Sequence, residues 1–326
     1  MPKLTMVQAI NLALHQEMEK DESVLVMGQD IGKNGGVFRL TDGLQDKFGE
    51  DRAIDTPLAE SAIIGSAIGM AINGLKPVAE IQFSGFSYLT LGQLEGNAAR
   101  FRNRTLGKFT VPLVLRMPFG GGVRALEHHS ESKETYYAHT AGVKTIIPST
   151  PQTAYRLLLG AIRDPDPVVF MEPKHSYRAF KEEFEADGEA MELGKARIVQ
   201  EGTDITVISW GAMLHRTEKV IEDVVDKHGV SVELIDLQSI APMDAQTIAD
   251  SVKKTGRAVI VQEAQKTLGP ASEIISLIND NALMYLEAPV KRVTGYDIVM
   301  PYFARENNQI PSIERITDAI EETLAF

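Results

Sequence analysis

One carboxylate, Glu60, stands near the start of "DTPLAESAIIGSAIGMAINGLKPV" (residues 55–78), which carries no other charge between Asp55 and Lys76. A carboxyl in apolar surroundings holds its proton more tightly than in water. An acid in the first turn of a helix also has a plainer use, because the helix dipole favours it by under about 1 kcal/mol. Thr56 suits the cap of such a helix and Pro57 its first turn, so Glu60 falls one residue too late for a capping box. Beyond it, Ala62, Gly65, Ser66 and Gly69 leave room for a close neighbour. Glycine costs a helix about 1 kcal/mol against alanine, so Gly65 and Gly69 need a packing reason.

Two further stretches carry polar chemistry. "AEIQFSGFSYLTLGQ" (79–93) sets Gln82, Phe83, Phe86 and Tyr88 among Gly and Ser, a spacing at which aromatics ordinarily read as core. "RMPFGGGVRALEHHSESKETYYAHTAG" (116–142) has three consecutive glycines, then His128 and His129, then Ser130, Ser132 and Thr135. A glycine run before paired histidines suits a flexible segment lining a site. The histidines have no third ligand at zinc-like spacing. No GxSxG elbow supports a serine nucleophile, and no GxGxxG follows a strand to bind a dinucleotide.

The 326 residues suffice for two domains, and 44% hydrophobic with 24% charged residues is the balance of a folded protein. A formal charge of −12 argues against a nucleic-acid or anionic-membrane surface, and the absence of cysteine excludes disulfides, thiolate metal sites and a thiol nucleophile. The start, "MPKLTMVQAINLALHQEMEKDE", meets acids early and reads as a helix rather than a signal peptide. Ser61 to Leu75 is too short and glycine-rich to span a membrane. The expectation is a cytoplasmic protein.

Strand-like and helix-like segments alternate to position these residues. "SVLVMG" is a short apolar run. "KTIIPSTPQTAYRLLLGAIRDPDPVVFMEP" reads as strand, helix and strand, with Thr150 as cap, Pro151 at the first helical position and Ala154, Leu157, Leu158 and Ala161 at helical spacing. "DITVISWGA", "VSVELID" and "RAVIVQEA" are further strands, separated by helical patterns at 217–227 and 244–254. This is an α/β protein with largely parallel sheets covered on both faces. The acidic stretch "KEEFEADGEAMELG" (181–194) reads as the joint between two units, residues 1–187 and 188–326.

"DTPLAE", "EIQFSGFSY", "PFGGGV…EHHSES", "AGVKTIIPSTPQTA", "AIRDPDPVVFMEP" and "KTGRAVIVQEAQ" together, in order over nearly the whole chain, resemble one family. They are similar to the beta subunits of the thiamine-diphosphate-dependent decarboxylating component of 2-oxo acid dehydrogenase complexes, the bacterial pyruvate-specific members most of all. The resemblance implies a pyrimidine-binding domain followed by a transketolase C-terminal-like domain. It implies an alpha2-beta2 heterotetramer that serves the peripheral binding domain and lipoyl domain of a dihydrolipoyl acyltransferase. Glu60 then matches the carboxyl that bonds the cofactor's pyrimidine N1′, Phe86 stacks on that ring, and Leu58 and Gln82 line its pocket. His129 matches the histidine that faces the 2-oxo acid and the later transfer to lipoyl. His128, its neighbour, is an unusual doubling. The other histidines (His15, His139, His175, His215, His228) are left as structural or solvent-facing.

The resemblance also implies a potassium site at Leu113, Ala161, Ile162, Asp164 and Asp166, largely through main-chain oxygens. The plain alternative there is an Asp/Pro turn. The GDG motif that binds magnesium and the diphosphate is absent, so an alpha subunit must supply that half. Pyruvate is the expected substrate. Branched-chain 2-oxo acids and acetoin are handled by similar subunits, and a non-catalytic assembly scaffold is the reading from another class.

Overall fold

The computed structural model describes residues 1–326. Fourteen strands run in chain order. The first eight are β1 (Lys3–Leu4), β2 (Val24–Gly28), β3 (Ala53–Asp55), β4 (Lys76–Glu80), β5 (Val114–Phe119), β6 (Lys144–Ile146), β7 (Val168–Pro173) and β8 (Glu182–Glu183). The rest are β9 (Arg197–Gln200), β10 (Ile205–Ser209), β11 (Val232–Asp236), β12 (Ser239–Ala241), β13 (Ala258–Gln265) and β14 (Lys291–Gly295). A seven-stranded sheet has the order β12-β6-β7-β5-β4-β2-β3, and a five-stranded sheet the order β14-β13-β10-β11-β9. All pairings in both are parallel except the edge strands β12 and β9. The central strands are buried on both faces, which is why they read as unbroken apolar runs.

The helix expected after Ser149 runs Pro151–Arg163, with the Thr150 hydroxyl accepting from the Thr153 amide. The helices Ala212–His228 and Ala245–Thr255 enclose the two patterns expected there, the second capped by Asp244. No helix is long and apolar enough to cross a membrane.

Three features depart from the sequence reading. Thr56 caps nothing: its amide donates to the Gly28 carbonyl at 3.0 Å, prolonging the edge of β3, and the helix begins at Glu60. The Thr56 hydroxyl is left buried with no partner, whereas the same Thr-Pro pair at Thr150 and Pro151 does cap its helix. Secondly, residues 84–104 form a continuous irregular helix, 3-10 at Ser84–Thr90 and π at Leu94–Ala98, which no single period reveals. Thirdly, β12 returns from the second half of the chain to pair antiparallel with β6.

That crossover is one of several ties between the halves. One apolar core joins Phe119 and Ile147 of the first half to Trp210, Ile235 and Leu237 of the second. At its edge the Ser149 hydroxyl donates to Asp236 Oδ1 (2.6 Å) and accepts from the Gly211 amide (2.8 Å). Within the first sheet, the buried Arg116 of β5 donates through Nε to Glu172 of β7 (2.7 Å) and through NH1 to Glu80 of β4 (3.0 Å). Tyr177 OH donates to the other oxygen of Glu172 at 2.5 Å.

Ser149→Ala strips a donor from the buried Asp236 carboxylate and an acceptor from Gly211. Buried groups left without partners cost about 1–3 kcal/mol each. The variant should therefore lose a few kcal/mol in a urea melt, with the slope of the transition unchanged.

Candidate active site

Every candidate segment leaves the carboxyl end of a parallel strand of the first sheet. Gln29 and Asp30 follow β2, Glu60 follows β3, Gln82 to Phe86 follow β4, the glycine run and the histidines follow β5, and Lys174 and His175 follow β7. These five strands are consecutive neighbours, so the segments share one sheet edge, where open α/β sheets bind ligands.

Glu60 opens its helix (Glu60–Ile72) and faces a surface depression of ≈ 670 Å³. Leu58, Ser61, Gly65, Ser66, Leu89 and Gln93 line it. Gln93, from the irregular helix, and Leu89 were not foreseen. Their signal was hidden because the 3-10 and π turns displace them from helical spacing. Leu58 is 69% exposed and Leu89 48%, so the wall of the depression is apolar and uncovered. Gln82 lies apart from this wall, donating to Asp30 Oδ2 at 3.2 Å.

Phe83, Phe86, His128 and His129 form one ring cluster. His129 meets Phe83 edge-on at 4.1 Å and Phe86 at 5.4 Å, while His128 lies nearly parallel to Phe86 at 6.1 Å and 20°. These aromatics are thus half-buried around the histidines, Phe86 at the same time packing against the main apolar core. His129 Nδ1 is buried with no partner, and burial lowers its pKa, with Lys174 and His128 adding to the effect and Glu127 opposing it. The lowered pKa favours the neutral imidazole, whose unpartnered Nδ1 is closed off from solvent. Gly85 makes the contact possible, since a Cβ there would overlap the His128 carbonyl.

The glycine run is not a free hinge. Gly120 donates to the Glu131 carbonyl (3.0 Å), which also accepts from Ser84 Oγ (2.7 Å). The Gly121 amide donates to Glu263 Oε1 at 2.5 Å, and the Gly122 amide donates to Glu306. Lys174 Nζ donates to the Gly120 carbonyl, and His175 Nδ1 lies 3.1 Å from the Gly122 carbonyl. Burial brings Lys174 down to about 8, with Glu263 and Glu306 acting the other way. Glu134, wholly buried beside them, has no well-formed hydrogen bond at either oxygen, and burial pushes it up to about 7, with Glu263 adding to the effect and its own backbone and Trp210 opposing it.

The positions suggested for potassium lie at the opposite, amino edge of the sheet. The helix Pro151–Arg163 ends there, and the carbonyls of Ile162, Asp164 and Asp166 accept no hydrogen bond. The Leu113 carbonyl takes the Val168 amide at 2.9 Å, and Ala161 takes Asp164 at 3.3 Å. Lys144 Nζ occupies the Asp164 carboxylate (2.6 and 2.7 Å), and Arg102 occupies Asp166 (2.7 Å). A cation here would meet main-chain oxygens, as a hard monovalent ion at a helix C-terminus should. No group of three or more His, Asp or Glu side chains converges anywhere to hold a divalent metal.

The family profile described as transketolase, pyrimidine binding domain, matches residues 2–179, and that of transketolase, C-terminal domain, matches residues 194–316. The protein named pyruvate dehydrogenase E1 component subunit beta in Acholeplasma laidlawii is 53% identical over 319 residues, 98% of this chain and 97% of that protein. Its Bacillus subtilis namesake is 48% identical over 326 residues, 100% of both chains. The chain belongs to the pyruvate dehydrogenase E1 beta subunit family. A third E1 beta subunit, from Staphylococcus aureus, is 45% identical over 100% of both chains. A solved structure described as "Split gene transketolase, inactive beta4 tetramer" superimposes with a TM-score of 0.78 at 16% identity, covering 99% of each chain. That likeness shows the fold alone, two transketolase-type units.

Glu134 gives this region a pH signature. Its folded pKa of about 7 stands above the ordinary 4.5, so the stability linked to it is full below pH 4.5 and is lost as pH rises through about 7. The loss should reach roughly 3 kcal/mol. Glu134→Gln should flatten this fall in urea midpoints between pH 4.5 and 8, whereas an unchanged slope would place its source elsewhere.

Proposed function

We propose that this chain is the beta subunit of an acetyl-transferring pyruvate dehydrogenase, active with an alpha subunit. Together they would carry out thiamine-dependent oxidative decarboxylation of pyruvate and reductive acetylation of the lipoyl groups of a dihydrolipoyl acyltransferase. Relatives of this name over full length support the reaction. One structural observation supports the partner. The exposed face of the helix Glu60–Ile72 carries Ala62, Ser66 and Gly69, and a Cβ on Gly69 would meet nothing within 4 Å. Nothing inside the chain requires that glycine. Close approach by a second chain does, over the same face that leaves Leu58 and Leu89 uncovered.

The partner would close the depression and bring magnesium and the diphosphate sites, for which this chain has no ligand cluster. Bound thiamine diphosphate would supply the carbon nucleophile for the 2-oxo acid. Glu60 would hold a proton against the pyrimidine N1′ once the partner removes water from around it. Phe86 would stack on that ring, with Leu58 and Gln82 beside it. His129 would orient the substrate and serve the transfer to lipoyl. Potassium at Leu113, Ala161, Ile162, Asp164 and Asp166 would brace the far sheet edge. We take residues 1–187 and 188–326 as the two domains and place the enzyme in the cytoplasm.

The direct test is co-purification with an alpha subunit and assay on pyruvate, branched-chain 2-oxo acids and acetoin. The isolated chain should turn over none of them; robust turnover without a partner would end the half-site reading. In the assembled enzyme Glu60→Gln should keep the tetramer and lose about 10²- to 10⁴-fold in turnover, the usual scale of a general acid–base contribution. His129→Ala should impair reductive acetylation more than thiamine diphosphate affinity, with His128→Ala close to wild type. The reverse pattern would move the role to His128.

A further inference from the structure

We propose that Glu263 and Glu306, carboxylates of the second half of the chain, are positioning residues that clamp the backbone of Gly120–Gly122 and so set His128 and His129. The proposal rests on the functional reading above for what the histidines do, and on geometry alone for the clamp. Glu263 projects from β13, and Glu306 opens the short helix Glu306–Gln309. Each receives the amide of one glycine, Gly121 to Glu263 and Gly122 to Glu306. Glu263 Oε1 also accepts from Ser132 Oγ at 3.2 Å, so a single oxygen ties both ends of the loop that carries the histidines.

The three glycines follow from this grip. A Cβ on Gly120 would lie 2.7 Å from Glu263 Oε1, and one on Gly121 would lie 3.0 Å from Glu306 Oε1. On Gly122, at φ +89°, a Cβ would lie 2.6 Å from His175 Nδ1. Side chains of other elements stand where side chains of the loop would be; Gly120 and Gly122 also sit at positive φ, and at Gly121 a Cβ would press on Glu306 and Ile310. Lys174 places a cation between the carboxylates and the Gly120 carbonyl, which offsets the cost of burying two acids against one backbone segment. At the loop's far end, Ser84 and Gly120 share the Glu131 carbonyl, and the His128 backbone rests on Gly85. Between these anchors, Val123, Arg124 and Leu126 are exposed, so fixation comes from the ends. Charge-assisted bonds to a carboxylate are about twice as strong as neutral ones, which suits them to hold the glycine end of the loop, while Phe83 and Phe86 pack against its histidines.

The test separates clamp from chemistry. Hydrogen exchange of amides 120–132 in the full-length chain reads the clamp without any activity. Glu263→Ala and Glu306→Ala should each speed it by about 10-fold or more, leaving β5 and β7 protected. Glu263→Gln and Glu306→Gln keep an acceptor oxygen and should stay within about 3-fold of wild type. In the assembled enzyme the alanine variants should lower turnover while thiamine diphosphate affinity holds, and the glutamine variants should restore most of it. Unchanged exchange in the doubly substituted Ala chain would overturn the clamp. Faster exchange with unchanged turnover would overturn the positioning role. A wild-type enzyme inert towards every 2-oxo acid, with the exchange pattern as expected, would refute the functional reading and uphold the clamp.

Discussion

The buried guanidinium of Arg116 is the constraint on which the site depends. It joins Glu80 on β4 to Glu172 on β7 across its own strand β5, and Tyr177 completes the set. A charge this deep is tolerated only when paired and hydrogen-bonded, and removing one partner costs about 3–5 kcal/mol. The three strands are thereby held in one register, and each ends within a few residues of a functional segment. Phe86 follows Glu80, the glycine run follows Arg116, and Lys174 follows Glu172. Geometry at the sheet edge is inherited from an ion cluster inside the sheet.

Much of the scaffold was legible because local rules and burial agree there. The cap at Thr150 with Pro151 behind it, and the apolar runs of β2, β10, β11 and β13, say the same thing at each level. The misreadings fall where tertiary contacts override local preference. Thr56 has the chemistry of a cap, yet its amide is claimed by Gly28 of the neighbouring strand and the helix begins only at Glu60. The segment 84–104 mixes three helical geometries, so no hydrophobic period identifies it. "GGG" read as freedom of motion, and it is the opposite: the missing side chains make room for Glu263, Glu306 and His175.

The candidate site was legible unevenly for the same reason. Glu60 stood out as one acid in an uncharged run, and the paired histidines are visible in any reading. Glu263, Glu306 and Lys174 gave no local signal, because a charged residue in a strand or at its edge, or at the start of a short helix, looks like any other until the chain is folded. The exposure of Leu89 beside Glu60 is likewise invisible in the sequence, and that of Leu58, there expected in a pocket wall, appears only in the fold.

The separation of the clamp's partners along the chain has a consequence for biogenesis. Glu263 lies 142 residues beyond Gly121, and Glu306 lies 184 beyond Gly122. At about 5–20 residues per second, the ribosome leaves on the order of ten seconds or more between making the loop and making its last anchor. During that interval the first sheet can close and the histidine loop cannot be set. A nascent chain or a product cut short before Glu306 would own a sound sheet and an unfinished catalytic edge. Competence therefore arrives last, as the final helices join the fold.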